Sequence, residues 1–158
     1  MSSSVRAPVT AYIGLGANLG EPATGLRNAI NALAGLAGIR TVRCSSFYSS
    51  APIDSSGPDY VNAVIEVQAT LCAPALLSAL QGIEQQAGRE RPYPNAPRTL
   101  DLDLLLYGTG DIHSAHLVVP HARMNQRAFV LLPLAEIAPE LVSPAQLQSI
   151  AGQSITRL

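Results

Sequence analysis

From Pro97 to Tyr107 the chain reads Pro-Arg-Thr-Leu-Asp-Leu-Asp-Leu-Leu-Leu-Tyr, alternating apolar and acidic residues before it turns wholly apolar. Alternation at period two is the signature of a strand, because successive strand side chains leave from opposite faces. Leu100, Leu102 and Leu104 then share one face. Asp101 and Asp103 share the other, with Cα atoms roughly 6.5–7 Å apart, two strand rises. The chain therefore needs a sheet that is packed on its leucine side and open on its acidic side. Two carboxylates at that spacing can converge on a hard cation, and Mg²⁺ is commonly held by one or two carboxylates plus substrate phosphates. The plainer reading of the same stretch is a half-buried strand with its acids in water.

Upstream, Val9 to Gly16 reads as a strand with Ala11, Ile13 and Leu15 on one face and Tyr12, Gly14 and Gly16 on the other. The following Gly-Leu-Gly-Ala-Asn-Leu-Gly is neither G-x-G-x-x-G nor a P-loop, which points to a close-packed strand-to-helix turn. Asn18 is the side chain there able to read a ligand. Glu21 to Leu36 has helical spacing, with Leu26, Ala29, Ile30 and Leu33 on one stripe. Ile39 to Ser50 is expected to be one strand, with Val42, Cys44, Ser46 and Tyr48 on one face, followed by a loop over residues 51–59. Tyr60 to Leu71 alternates clearly, with Val61, Ala63, Ile65 and Val67 opposite Tyr60, Asn62, Val64 and Glu66. Pro74 suits the first turn of a helix that carries Leu76, Leu77, Leu80 and Ile83. Arg89 to Pro97 is a loop by its three prolines. Beyond the acidic strand, Gln126 to Ala138 reads as a helix with Pro133 as a kink or break, and Ser143 to Leu158 shows a weak helical pattern.

Strand–helix–strand–strand–helix–strand followed by an extension is the ferredoxin-like βαββαβ arrangement, an α+β class with an antiparallel sheet and both helices on one face. Parity then gathers Gly14, Gly16, Tyr60, Asn62, Asp101 and Asp103 on the face away from the helices. A C-terminal extension covering part of that face would leave a cleft. The 158 residues suit a single domain over 1–158, with 1–8 as a flexible N-terminus.

Composition narrows the partners. A net charge of −1 with no Lys/Arg run gives no nucleic-acid footprint. No stretch has the length of a membrane span or the apolar core of a signal peptide, so a cytoplasmic protein is expected, and a monomer is taken as the default. Cys44 and Cys72 lack metal spacing and read as small core residues. Arg89, Arg91 and Arg98 flank the acidic strand, and His121, Arg123 and Arg127 follow it. Cations crowded about two carboxylates, without a nucleophilic Ser or Cys motif, suit phosphoryl-type transfer, where catalysis is positioning and charge stabilisation. Surface Arg–Asp pairs in a non-enzymatic ligand-binding module of the same fold are the alternative, and an ester hydrolase is a second.

Several pieces, in this order, carry a resemblance: Tyr-Ile-Gly-Leu-Gly-Ala-Asn-Leu-Gly (12–20), Ser-Ser-Phe-Tyr (45–48), Pro-Asp-Tyr-Val-Asn-Ala (58–63), Pro-Arg-Thr-Leu-Asp-Leu-Asp-Leu (97–104), Val-Pro-His (119–121) and Arg-Ala-Phe-Val-Leu-Leu-Pro-Leu (127–134). The chain resembles the 6-hydroxymethyl-7,8-dihydropterin pyrophosphokinases of folate biosynthesis. The resemblance implies transfer of the β,γ-pyrophosphoryl group of ATP to the pterin hydroxymethyl, with AMP leaving and a pair of Mg²⁺ ions on Asp101 and Asp103. It implies pterin contacts from Asn18, Ser50, Ala51, Ile53, Tyr60, Asn62, Arg127 and Phe129, those of Ser50, Ala51 and Ile53 through backbone groups. ATP-side positions would be Gln81, Glu84, Arg89, Arg91, Arg98, Leu104, His121 and Arg127, with Arg89 and Arg98 acting on transition-state charge. The chain departs from the family pattern in a shorter, tryptophan-free loop at 89–98, where Tyr93 or Asn95 occupies the region. His116, Val118 and Ala122 also stand where basic or hydroxyl residues are common.

Overall fold

The computed structural model describes residues 7–18, 20–51, 58–88 and 100–158. Its elements are β1 (Val9–Ala17), α1 (Pro22–Ala34), β2 (Ile39–Cys44), β3 (Tyr48–Ser50), β4 (Tyr60–Ala69), α2 (Ala73–Gly88), β5 (Asp101–Tyr107), β6 (Ile112–His113), β7 (Val118–Val119), α3 (Ala128–Ile137), α4 (Pro144–Ser149) and β8 (Ile155–Arg157). Short 3₁₀ turns lie at Met124–Gln126 and Pro139–Leu141. The main sheet runs β5-β1-β4-β3-β8, with β2 paired to β4 ahead of β3, and its pairings are antiparallel. Among the described residues no helix is long and apolar enough to cross a membrane.

The alternation read in the sequence sorts the side chains as it must. Ala11, Ile13 and Leu15 of β1, Ala63, Ile65 and Val67 of β4, and Leu102 and Leu104 of β5 form one continuous core with α1 and α2. The helices deliver Leu26, Ala29 and Leu33, and Leu76 and Leu80, at the three- and four-residue spacing of a helical stripe. Each fully buried Leu or Ile here contributes about 1.5–3 kcal/mol relative to exposure. α1 begins with Pro22 at a first-turn position. The chain reverses into β2 at Gly38, whose φ of +82° suits glycine.

The opposite face is covered differently. Tyr12, Val64 and Leu105 pack against Leu131, Leu134 and Ile137 of α3, which crosses β4. The apolar run Leu104-Leu105-Leu106 serves both cores because of a bulge: Ile13 pairs with Leu104 but Tyr12 pairs with Leu106. Leu104 thus enters the helix-side core, while Leu105 and Leu106 turn to the α3 side.

The structure corrects the sequence reading at several points. Residues 39–50 are two strands, not one. Ser45 interrupts them, its hydroxyl accepting from Val64 N at 3.0 Å and donating to Ser46 O at 2.7 Å. A side chain with local backbone partners competes with the ladder, which is why serine breaks strands. Val42 is 41% exposed and Cys44 is also exposed, so neither is core. Among the described residues they lie on a strand paired with β4 alone, Val42 at and Cys44 beyond a register shift between Thr41 and Arg43. Cys72 is half-buried. The helix expected over 126–138 starts only at Ala128, behind the 3₁₀ turn, and runs through Pro133. The weakly helical tail is one short helix, capped by a Ser143/Gln146 capping box, followed by β8, which lengthens the sheet beside β3.

Candidate functional site

A cavity of about 550 Å³ opens on the face away from α1 and α2. Its floor follows from strand register. Asp103 pairs with Gly14 and Asp101 with Gly16, and Gly16 pairs on its other side with Asn62. On β1 a glycine therefore stands beside each carboxylate. A Cβ on Gly16 would lie 3.0 Å from Asn62 Nδ2, so the amide occupies the space that glycine leaves. Both carboxylates line the cavity, Asp101 exposed and Asp103 half-buried.

Asn62 is 3% exposed, and its Oδ1 accepts from Ser50 Oγ at 2.7 Å. That bond fixes the orientation of the amide, with the acceptor committed to Ser50 and the Nδ2 donors facing the cavity side of Gly16. Ser50 thus bears on the site through Asn62, to which its hydroxyl donates. Tyr60 and Ala51 line the cavity beside it. The far wall comes from the segment before and within α3. Phe129 lines it, and the Arg127 guanidinium lies 5.3 Å from the Phe129 ring centroid, a cation–π distance. Arg123 and Gln126 also line the cavity. Gln126 was not foreseen, because it belongs to no motif and its position depends on the 3₁₀ turn.

His121 is held at Nδ1 and turns Nε2 toward Asp103. Nδ1 accepts from Arg123 N at 3.2 Å, and Nε2 lies 4.0 Å from Asp103 Oδ1. An accepting Nδ1 places the proton of the neutral ring on Nε2, facing the carboxylate. The backbone N–H of His121 donates to Leu105 O at 2.9 Å, which ties this loop to the carboxylate strand.

Other sequence candidates lie elsewhere. Asn18 is outside the cavity lining, its amide 3.4 Å from Pro58 O, a link between the end of β1 and the approach to β4. Gln81 and Glu84 sit on α2. Glu84 Oε2 accepts from Leu102 N at 2.8 Å and closes a backbone donor at the outer edge of β5. Leu104 is buried in the helix-side core at 2% exposure, so only its backbone is available to a ligand. Ile53, Arg89, Arg91 and Arg98 lie outside the described residues, as do Tyr93, Asn95 and the rest of their loop. His116 and Ala122 are exposed and Val118 is half-buried. A second, more apolar groove of about 770 Å³ between α1 and α2 holds none of the candidate residues.

Hard oxygen donors in an open cavity fit Mg²⁺. Among the described residues, no third His, Cys, Asp or Glu joins the two acids to make a protein-only metal cage. A cation here would complete its shell with water and phosphate oxygens, which is the habit of Mg²⁺ and not of structural zinc.

The pattern of 7,8-dihydro-6-hydroxymethylpterin-pyrophosphokinase (HPPK) matches residues 12–139, which takes in the cavity from Gly14 to Val130. The chain belongs to the HPPK family. It is 46% identical over 148 residues to the 2-amino-4-hydroxy-6-hydroxymethyldihydropteridine pyrophosphokinase of Synechocystis sp., covering 94% of this chain and 73% of that protein. It is 46% identical over 137 residues to the enzyme of the same name from Haemophilus influenzae, covering 86% of each. In three dimensions it resembles the crystal structure of an HPPK-DHPS in complex with substrates, with a TM-score of 0.69 at 13% identity. That match covers 92% of this chain and 43% of the other, so the chain spans under half the length of that protein, and the likeness is one of fold. The matched range takes in β4 and β5, which flank β1 and contribute Tyr60, Asn62, Asp101 and Asp103 to the lining of the 550 Å³ cavity.

Proposed function

We propose that the chain transfers the pyrophosphoryl group of ATP to the hydroxymethyl of 6-hydroxymethyl-7,8-dihydropterin, releasing AMP, as a step in folate biosynthesis. The observation that carries this reading is the cavity itself. In a chain matched to HPPK across residues 12–139, it holds an oriented buried amide, aromatic walls and a pair of carboxylates. A flat heterocycle fits between Tyr60 and Phe129, and Asn62 meets its donor–acceptor edge. Ala51 lines that side and Ser50 holds Asn62, while Ile53 and Asn18 are assigned to the pterin by resemblance.

Asp101 and Asp103 would hold Mg²⁺, and the pair of ions expected for the family, when bound, supplies charge neutralisation at the triphosphate. His121 orients toward Asp103 and presents an N–H there. Arg127 lies over the Phe129 ring and brings a fixed positive charge to the same wall. Gln81, Glu84 and the Leu104 backbone fall on the α2 and β5 side, where the nucleotide part of ATP is proposed to lie. Arg89, Arg91 and Arg98 are assigned to phosphate by resemblance, Arg89 and Arg98 to the transferring group. The proposal takes the sheet as a ferredoxin-like βαββαβ unit with a C-terminal extension over the cavity face, in a single domain acting as a monomer without nucleic acid or membrane.

The deciding experiment supplies ATP, Mg²⁺ and the hydroxymethyl-dihydropterin and identifies the nucleotide product. Pterin-dependent AMP is the expected result. ADP, pterin-independent phosphate release, or binding without turnover overturns it, the last in favour of a ligand-binding module.

A further inference from the structure

Helix α3 begins without a local cap. Its N-cap residue is Arg127, in an extended conformation with φ −126° and ψ 114°, and no side chain of its own first turn caps it. A residue such as Ser or Asp would ordinarily accept from a first-turn N–H. Here the N-cap side chain faces the cavity instead, over the Phe129 ring. The missing acceptor comes from 25 residues further on. Gln153 Oε1 accepts from Ala128 N at 2.9 Å, and Gln153 Nε2 donates to Gln126 O at 2.7 Å. One amide thus grips the backbone on both sides of Arg127. A second link holds the same turn, from Gln146 Nε2 to Asn125 Oδ1 at 2.8 Å.

The tail that carries Gln153 also reaches the other wall. Ile155, Thr156 and Arg157 pair with Ser50, Ser49 and Tyr48, and Leu158 N donates to Phe47 O at 2.9 Å. Ser50 in turn orients Asn62. Within six residues, the tail is attached to the segment bearing Arg127 and Phe129 and to the strand bearing Ser50.

We propose that Gln153 is a positioning residue for the cavity. Its side chain fixes the peptide on either side of Arg127 and so holds the Arg127–Phe129 wall at its spacing from the Ser50–Asn62 wall. It touches no substrate and acts through the backbone. The inference rests on the reading above that a pterin lies between these walls. A slot for a flat ring tolerates little change in width, because a gap of a fraction of an ångström forfeits a large part of the dispersion contact.

The test uses the full chain, with 6-hydroxymethylpterin as the probe in the presence of a non-hydrolysable ATP analogue and Mg²⁺. Gln153→Met keeps side-chain length and removes both polar atoms, whereas Gln153→Glu keeps the acceptor for Ala128 N–H. Gln153→Met is expected to weaken pterin binding roughly fivefold to tenfold, on the scale of one lost cap. Gln153→Glu should recover more than half of that loss, and the ATP analogue alone should bind within about twofold of the parent. Pterin affinity unchanged in Gln153→Met overturns the proposal. An equal loss for pterin and ATP analogue, with a matching fall in Tm, overturns it in favour of a general stabilising role. Phe129→Ala in the same assay tests the wall independently. Unchanged pterin binding in that variant overturns the placement of the pterin and not merely the role of Gln153.

Discussion

On the side covered by α1 and α2 the sheet is packed by residues that follow one another in regular spacing. On the cavity side it is held by residues drawn from distant parts of the chain. The first core needs little besides periodicity: alternate residues of β1, β4 and β5 meet helical stripes from the intervening segments. The second is joined by specific polar links. Glu136 of α3 accepts from Ser46 N at 3.1 and 3.0 Å, from Ser46 Oγ at 2.9 Å and from Tyr48 OH at 2.7 Å, with Arg157 Nη2 at 3.5 Å. Ser50–Asn62 and Gln153–Ala128 are links of the same kind. A face that must keep a cavity open cannot be filled to native density, so its walls are placed by hydrogen bonds.

The sharpest way to break this contrast is at the carboxylates. Asp101→Ala or Asp103→Ala should lower kcat by roughly a thousandfold or more, the several kcal/mol of charge stabilisation at a bound cation. Thermal melting should show the fold intact. Turnover equal to the parent at saturating Mg²⁺ in the double variant would leave the acids as solvated surface groups.

The helix side should show the reverse. Leu80→Ala, in a fully buried position, is expected to cost about 2–5 kcal/mol of stability. The denaturant midpoint would read this, while kcat per folded molecule stays near that of the parent. A large fall in kcat at full folding would mean that the two faces are not separable.

Asn62→Ala probes the cavity amide and should weaken pterin binding by about 1–3 kcal/mol, the cost of unpaired buried polar groups. ATP-analogue affinity measured without pterin should hold. Because Ser50 loses its partner too, a variant that melts lower yet binds pterin like the parent would make the Ser50–Asn62 pair purely structural.

Loss of Glu136 should lower stability by less than the Leu80 truncation does. Burial raises its pKa, but the hydrogen bonds from Tyr48 and Ser46 and the Arg157 charge outweigh that and hold the carboxyl low. Its contribution is therefore present above the unfolded carboxylate range and is lost as pH falls through the lower folded value. Burial, together with the hydrogen bond to Glu136, pushes Tyr48 up to about 12 from an ordinary 10.0. That contribution is present below the unfolded value and is lost as pH rises through about 12. Melting curves of the parent and Tyr48→Phe should converge between these limits, because only the parent carries the titrating hydroxyl. A constant difference across that range would show that Tyr48 ionises as it does in the unfolded chain. Glu136→Gln, at neutral pH, should cost about 1–3 kcal/mol.

Legibility in the sequence divides along the same line. The strands of the first core, their parity, and hence the meeting of Gly14, Gly16, Asn62, Asp101 and Asp103 could all be read, because period-two alternation is a local signal. The α3 wall was readable as a helix but not in its start, since its cap comes from Gln153. The break at Ser45 was hidden because serine is tolerated in strands until its hydroxyl finds a backbone partner, here across the ladder on Val64. Cys44 looked like core because periodicity counts apolar residues but does not show that a strand has a neighbour on one side only. β8 was missed because three residues hold too little pattern to separate a strand from a frayed helix.

The Glu136 junction has a consequence in time. Its partners lie 88 and 90 residues earlier in the chain and 21 residues later. Closing contacts over such separations costs loop entropy before it gains anything, and this favours late formation. The α1–β4–α2 core, built from nearer neighbours, would form the nucleus, and the α3 wall would dock afterwards. Removing the Glu136 carboxylate should then accelerate unfolding and leave the folding limb of the chevron nearly unchanged. A Leu76 truncation should slow folding itself. If both variants moved the same limb, the order of assembly inferred from chain distance would be wrong.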